Sequence, residues 1–332
     1  VERFGNHSIV DVERAPGAAA VDADRAERIG LPRSGARGVD AGRPFLARPH
    51  DAHADAASEL PFANAPESSA PVISIRNVVP GAFLRARLAA CHAVTLFSAT
   101  LGSERYQRDM LGLPESTLWL DIESPFEASN LSVRIADRLS TRYPHRAASL
   151  DGIVDLIAAQ CAGQPGNYLA FFSSFDYLDQ AAARLALRHP ELPQWRQSRS
   201  MLAIERKHFL ERFRADGRGV GFAVLGGSFA EGVDLPGTRL IGAFIATLGL
   251  PPVSPIHEQF RARLDALFGS GHGYADLVPG LQKVVQAAGR VIRSPDDRGW
   301  LWLMDGRYRR PEVLALLPAW WRIDRSAVAR VA

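Results

Sequence analysis

Two arginines three residues apart, Arg290 and Arg293, close the segment Gln286-Ala287-Ala288-Gly289-Arg290-Val291-Ile292-Arg293. On a helix that spacing puts both side chains on one face, with Gln286 one turn earlier on the same side. Two guanidiniums aimed together suit a phosphoryl group carrying developing charge, because each presents paired N–H donors to phosphate oxygens. Taken alone, such a pair reads better as a solvated basic helix face. A second segment, Phe222 through Gly237, contains Gly226, Gly227, Gly232 and Gly237 together with Glu231 and Asp234. Glycines there permit close backbone approach to a ligand, and the carboxylates suit ribose hydroxyls or a cation. A turn that serves geometry only is the plainer reading. Ser228 lies in the same run, but Gly-Gly-Ser-Phe-Ala lacks the second glycine of a nucleophile elbow, so hydrolase chemistry has little support. The third segment, Leu96-Phe97-Ser98-Ala99-Thr100-Leu101, ends an apolar run in two hydroxyls that either cap a turn or meet a ligand.

These segments must be held by the elements around them. Apolar runs of strand length occur at Val94–Ser98, Leu118–Ile122, Tyr168–Ser173, Val220–Leu225, Leu240–Thr247 and Trp300–Met304. Amphipathic stretches of helical length lie between them at Ala82–Cys91, Leu150–Ala162, Tyr177–Arg188, Leu202–Arg214 and Lys283–Val291. Several of the strands are apolar throughout, as expected when helices cover both faces of a sheet. The alternation predicts an α/β fold, a doubly wound and mostly parallel sheet with flanking helices. Ligands of such sheets bind beyond the carboxyl ends of the strands, which directs attention to the segments that follow them.

Composition narrows the setting. The chain has 332 residues, 47% of them hydrophobic, enough for a substantial core. A net charge of +3 gives no global field for polyanions. The only lysines are Lys207 and Lys283, so all but two of the 39 basic residues are arginine, which GC-rich coding explains. Cys91 and Cys161 are too few for a four-cysteine zinc or iron–sulfur site. With no apolar run of about 20 residues and no signal-peptide stretch, a reduced, cytoplasmic setting without membrane contact is the expectation. Residues 1–70 are rich in Ala, Arg, Asp, Gly, Pro and His with weak periodicity, and read as an irregular or disordered extension ahead of a domain at 71–332.

In order and in placement at strand ends, the three segments resemble the second motor domain of superfamily 2 DNA helicases of the DinG and XPD group. Ser98-Ala99-Thr100 looks like the Ser-Ala-Thr motif, and Phe171-Phe172-Ser173-Ser174-Phe175 resembles motif IV. Glu231-Gly232-Val233-Asp234 matches motif V, and Gln286 through Arg293 fits the Q-x-x-G-R-x-x-R of motif VI. Ser124-Pro125-Phe126 and Leu317-Pro318-Ala319-Trp320-Trp321 also read like DinG-type proteins, so the resemblance covers about residues 71 to 322. It implies a RecA-like domain that, with an N-terminal partner domain, clamps ATP and Mg2+ and carries single-stranded DNA, with 5′-to-3′ movement and a role in DNA repair. Arg290 and Arg293 would then be arginine fingers, and Gln286 would contact the partner's nucleotide-binding motifs and help hydrolysis report domain closure. Glu231, Gly232 and Asp234 would line the ATP cleft. Ser98 and Thr100 would couple ATP state to DNA grip, and Ser173 and Ser174 would hydrogen-bond DNA phosphates.

The sequence departs from the family in what it lacks. Lys207 follows Arg206 and Lys283 follows Gln282, so neither ends a glycine-led phosphate loop. There is no Asp-Glu-x-His motif, and the family's four-cysteine iron–sulfur cluster is expected in the half not present. The implied reading is a truncated or split motor half, inactive alone. The alternative is a non-catalytic module that binds single-stranded DNA or regulates. Gly269-Ser270-Gly271-His272-Gly273 follows a helical stretch and reads as a mobile loop rather than a phosphate loop. His50 and His53 lack further clustered ligands, no metal site is expected, and Glu205 through Arg212 reads as a solvated charged face.

Overall fold

The computed structural model describes residues 8–13, 72–230 and 233–324. The chain divides into two compact units. The smaller, Val10–Arg76, holds most of a two-stranded sheet of β1 (Ser8–Glu13) and β2 (Val72–Asn77). The remainder of the segment expected to be irregular lies outside the described residues.

The larger unit is built on a seven-stranded sheet in the order β5-β6-β4-β7-β8-β3-β9, with every neighbouring pair parallel. Its strands are β3 (Leu131–Ile135), β4 (Asn167–Phe172), β5 (Gln194–Arg196), β6 (Gly219–Val224), β7 (Gly242–Ala246), β8 (Gly299–Leu303) and β9 (Ile323–Asp324). This is the RecA-like, doubly wound architecture expected, and all its pairings are parallel rather than most. Parallel strands require the chain to return to the amino edge between them, and helices make most of those returns.

Helices α3 (Arg146–Gly163) and α4 (Phe175–Arg188) cover one face. There Ile153, Ile157, Leu178 and Leu185 pack on Tyr168, Phe172, Phe222 and Phe244. Helices α5 (Ala203–Glu211), α7 (Val278–Ala288) and α8 (Pro311–Leu314) contribute to the other core, where Phe209, Leu281, Val284 and Val313 meet Leu169, Phe171, Ile245 and Leu301. Each such side chain contributes about 1.5–3 kcal/mol by leaving water. Because β4 and β7 lie in the middle of the sheet, every residue in them is buried.

Three further helices complete the unit: α1 (Gly81–Ala89), α2 (Glu104–Leu111) and α6 (Pro255–Phe268). The sequence reading missed α2 and gave α6 no bounds beyond a helical stretch ahead of Gly269, although both carry end signals. Ser103 caps α2 and Ser254 caps α6, while Gly112 and Gly269 close them with positive φ. Gly269 to Gly273 is therefore not a loop. It is a helix cap leading into a π-helical turn, Gly273–Leu277. That turn buries Asp276, whose carboxylate accepts from His257 and His272 at 2.6 Å and from Arg261 at 2.9 Å. Burial would raise its pKa, but these three donors hold it below the usual carboxylate value.

Two expected strands are absent. Val94–Ser98 and Leu118–Ile122 form no strand, and their side chains face water: Phe97 is 89%, Leu118 95%, Leu120 79% and Ile122 84% exposed. Both have the composition of a strand but no pairing neighbour among the described residues, and strand propensity without a partner does not make a strand. Conversely β3, β5 and β9 escaped the sequence reading. Both β5 and β9 are only two or three residues long, and β3 alternates buried and half-buried positions with Ser132 and Arg134 between its apolar residues.

Candidate functional site

The sequence-predicted residues gather into two groups on different parts of the larger unit. The first is organised by α7. Backbone meets backbone where this helix begins: a Cβ on Gly249, whose φ is +71°, would lie 2.4 Å from the Gly280 carbonyl oxygen. From there α7 runs back to feed the amino end of β8. Gln282 and Gln286, one turn apart, both reach the Ser-Ala-Thr segment. The Gln282 Nε2 donates to the carbonyls of Thr100 (3.4 Å) and Leu101 (3.1 Å), and the Gln286 Nε2 to Thr100 Oγ1 at 3.4 Å. Two segments 186 residues apart are thereby joined. Gln282 was not singled out beforehand, although its four-residue spacing from Gln286 was there to be read. Ser98 Oγ accepts from the Thr100 amide at 3.1 Å and so shapes the turn between them.

The arginines sit differently from expectation. Helix α7 stops at Ala288, three residues short of the expected Val291, so Arg290 and Arg293 lie on the link that follows it. They nonetheless converge on one stretch of chain. Arg290 donates to the carbonyls of Ala230 (3.3 Å) and Val233 (3.2 Å), and Arg293 Nε to Asp234 Oδ1 at 3.1 Å. Glu231 and Gly232 lie outside the described residues. The pair is also not at the carboxyl edge of the sheet, because the segment leads into β8 rather than out of a strand. Directly after β6, Gly226 turns the chain at φ +79° beside the aliphatic part of Lys283. Ser228 Oγ has Arg206 as partner at 3.5 Å, a cation that cannot serve as a general base.

The second group does lie at the carboxyl edge. Ser173, directly after β4, accepts from Arg146 at 2.8 Å, whereas the hydroxyl of Ser174 caps α4 by accepting from the Tyr177 amide at 3.3 Å. Arg146 stands over the rings of Tyr177 (4.9 Å) and Tyr143 (5.4 Å). Burial pushes the Tyr177 phenol well above its usual pKa, with Arg146 only partly opposing it. The preceding loop is pinned by Asp305. Its buried carboxylate accepts from the Thr141 amide and hydroxyl (2.7 and 2.6 Å) and from the backbone and guanidinium of Arg307 (2.8–2.9 Å). Burial would raise the Asp305 pKa, but these donors carry it below the ordinary carboxylate value.

A sequence model described as the helicase C-terminal domain matches residues 157–324, half of the chain. The chain belongs to that family. It is a C-terminal domain of the kind found in DinG- and XPD-like superfamily 2 helicases. Among curated relatives it is 27% identical over 230 residues to a probable ATP-dependent helicase of Methanocaldococcus jannaschii, covering 64% of this chain and 34% of that protein. It is also 27% identical to the ATP-dependent DNA helicase DinG of Photobacterium profundum over 229 residues, 67% of this chain and 31% of that one. A solved XPD helicase superposes with a TM-score of 0.59 at 19% identity, over 78% of this chain and 47% of that chain. The chain thus spans about a third of the length of the curated relatives it matches. No helix among the described residues is long and apolar enough to cross a membrane.

Proposed function

We propose that this helicase C-terminal domain supplies one wall of an ATP site and part of a single-stranded DNA track, the other wall belonging to an N-terminal motor domain in cis or in trans. The observation that carries the reading is the α7 assembly, in which Thr100, Gln286, Arg290, Arg293 and Asp234 come together from segments far apart in sequence. Its groups are guanidiniums and amide donors, which fit the outer phosphates of a nucleoside triphosphate. They do not fit the whole nucleotide. Lys207 is on the exposed face of α5 and Lys283 on α7, and neither sits in a phosphate-binding turn. When bound, ATP with its Mg2+ supplies the phosphoryl bond to be cut. In this reading Arg290 and Arg293 stabilise charge on the outer phosphate, Asp234 holds Arg293 in place, and Gln286 relays closure to the Ser-Ala-Thr segment. An iron–sulfur cluster does not fit this chain. Cys161 is a core residue whose thiol burial pushes up to about 12, and Cys91 is far from it in sequence on the exposed surface.

Exposed strand-patterned segments at 94–98 and 118–122 support a missing partner, since a neighbouring domain would bury them. The test is complementation. The chain alone is expected to turn over no ATP. With a supplied N-terminal motor half, DNA-stimulated turnover should appear and fall about 10³- to 10⁵-fold on Arg290→Ala, the usual contribution of an arginine finger. Robust turnover by the chain alone, or rescue indifferent to Arg290 and Arg293, would refute it. One observation favours a non-catalytic DNA-binding module instead: both arginines already hold partners within the chain. DNA binding that survives their substitution, with no rescued turnover, would select that reading.

A further inference from the structure

We infer that Tyr143 is a stacking platform for a base of single-stranded nucleic acid, backed by Arg146. The inference deepens the DNA-track reading and rests on it. Tyr143 is 83% exposed at the carboxyl edge of the sheet, between β3 and α3. One side of its ring faces the Arg146 guanidinium at 5.4 Å, so the rest of its surface is open to water. A cation on one face of an aromatic ring leaves the other suited to a flat, polarisable partner. A base meets that requirement whatever its identity.

Arg146 is not a loose side chain. Its guanidinium is shared among Ser173, the Thr141 carbonyl, Tyr177 and Tyr143. Thr141 is in turn fixed by Asp305, a residue 1% exposed. The tyrosine therefore opens a short 3-10 turn, Tyr143–His145, anchored before it through Thr141 and after it through Arg146, which lowers the ordering cost of any contact it makes. Around it the loop exposes Arg138, Arg142 and His145, cationic or titratable groups that suit the backbone phosphates on either side of a stacked base. Asp137, the acidic residue of this stretch, is paired with Arg309 and does not repel a polyanion as a free carboxylate would. Arg146 also joins Tyr143 to Ser173, so the platform continues the segment already assigned to DNA contact.

The experiment is fluorescence anisotropy of the full 332-residue chain with a fluorescein-labelled 20-nucleotide thymidine oligomer, alongside oligomers with internal abasic positions. Tyr143→Ala should weaken binding about 5- to 150-fold, the range seen for loss of one base–aromatic stack. Tyr143→Phe should bind like the parent, because the phenolic hydroxyl is not needed. The abasic oligomers should bind the parent less tightly than the intact one and leave Tyr143→Ala nearly indifferent. Equal affinity of parent and Tyr143→Ala for the intact oligomer overturns the platform while leaving the DNA-track reading standing. No binding of any oligomer by the parent overturns both. Because the side chain is exposed, an unchanged thermal midpoint is expected for both variants.

Discussion

Asp305→Ala should destabilise the larger unit by about 3–5 kcal/mol, the cost of breaking a buried ion pair from one side. The carboxylate accepts five hydrogen bonds of 2.6–2.9 Å from Thr141 and Arg307. Its removal leaves the Arg307 guanidinium, 18% exposed, without its counter-charge. For a unit of this size about 2–4 °C accompanies each kcal/mol, so the thermal midpoint should fall by about 6–20 °C. Urea unfolding should show a lower midpoint at unchanged slope. Asp305→Asn, which keeps an acceptor for the Thr141 amide but faces the guanidinium with no charge, should fall in between. The pH dependence has a definite sign. A carboxyl whose folded pKa is depressed stabilises the fold above its unfolded pKa, and that contribution is lost as pH falls through the folded one. The parent and Asp305→Ala should therefore converge in stability as pH drops from about 5 to below 3, around and under the ordinary carboxylate value. A variant within about 0.5 kcal/mol of the parent at neutral pH, or a gap that widens in acid, would refute this account.

Asp276→Ala removes the acceptor of His257, His272 and Arg261 in the π-helical turn and should cost about 3 kcal/mol or more by urea unfolding, a cost that shrinks in acid by the same sign argument. Gly226→Ala and Gly249→Ala share a positive φ but should separate in stability. The first meets only the flexible Lys283 chain and should cost about 1–2 kcal/mol, while the second drives a methyl into the Gly280 carbonyl and should cost more. Leu118→Ser with Ile122→Ser should leave the melting temperature of the isolated chain almost unchanged, since both side chains are already in water, yet weaken capture of a supplied N-terminal motor domain by pull-down.

Where a segment is buried on both faces, its fate was plain in the sequence. The runs Tyr168–Ser173, Val220–Leu225 and Trp300–Met304 became β4, β6 and β8 within a residue or two, because continuous apolar stretches of strand length have few other uses. Val94–Ser98 and Leu118–Ile122 have the same local signature and became exposed chain. Pairing is a property of the neighbour as much as of the strand, and a window of sequence does not contain the neighbour. The site divides in the same way. The Gln-to-Arg spacing points to α7 and its exit as a candidate site, but the helix end at Ala288 depends on the turn needed to enter β8. The expectation for Ser174 is a DNA contact, and its hydroxyl caps α4, two roles that one Ser-Ser pair announces identically. Asp305 and Thr141 carried no local signal, being 164 residues apart and meaningful only together.

The glycine-to-glycine meeting of Gly249 and Gly280 has a reach beyond its own site. An α-helix is stiff along its axis, and Arg290 lies ten residues past Gly280, about 15 Å farther along the same rod and the turn that ends it. Bulk added at the near end is therefore expected to displace the far end as well. Residues remote from Arg290 and Arg293 are in this way able to shift them, because the contact of the two glycines sets where the rod begins.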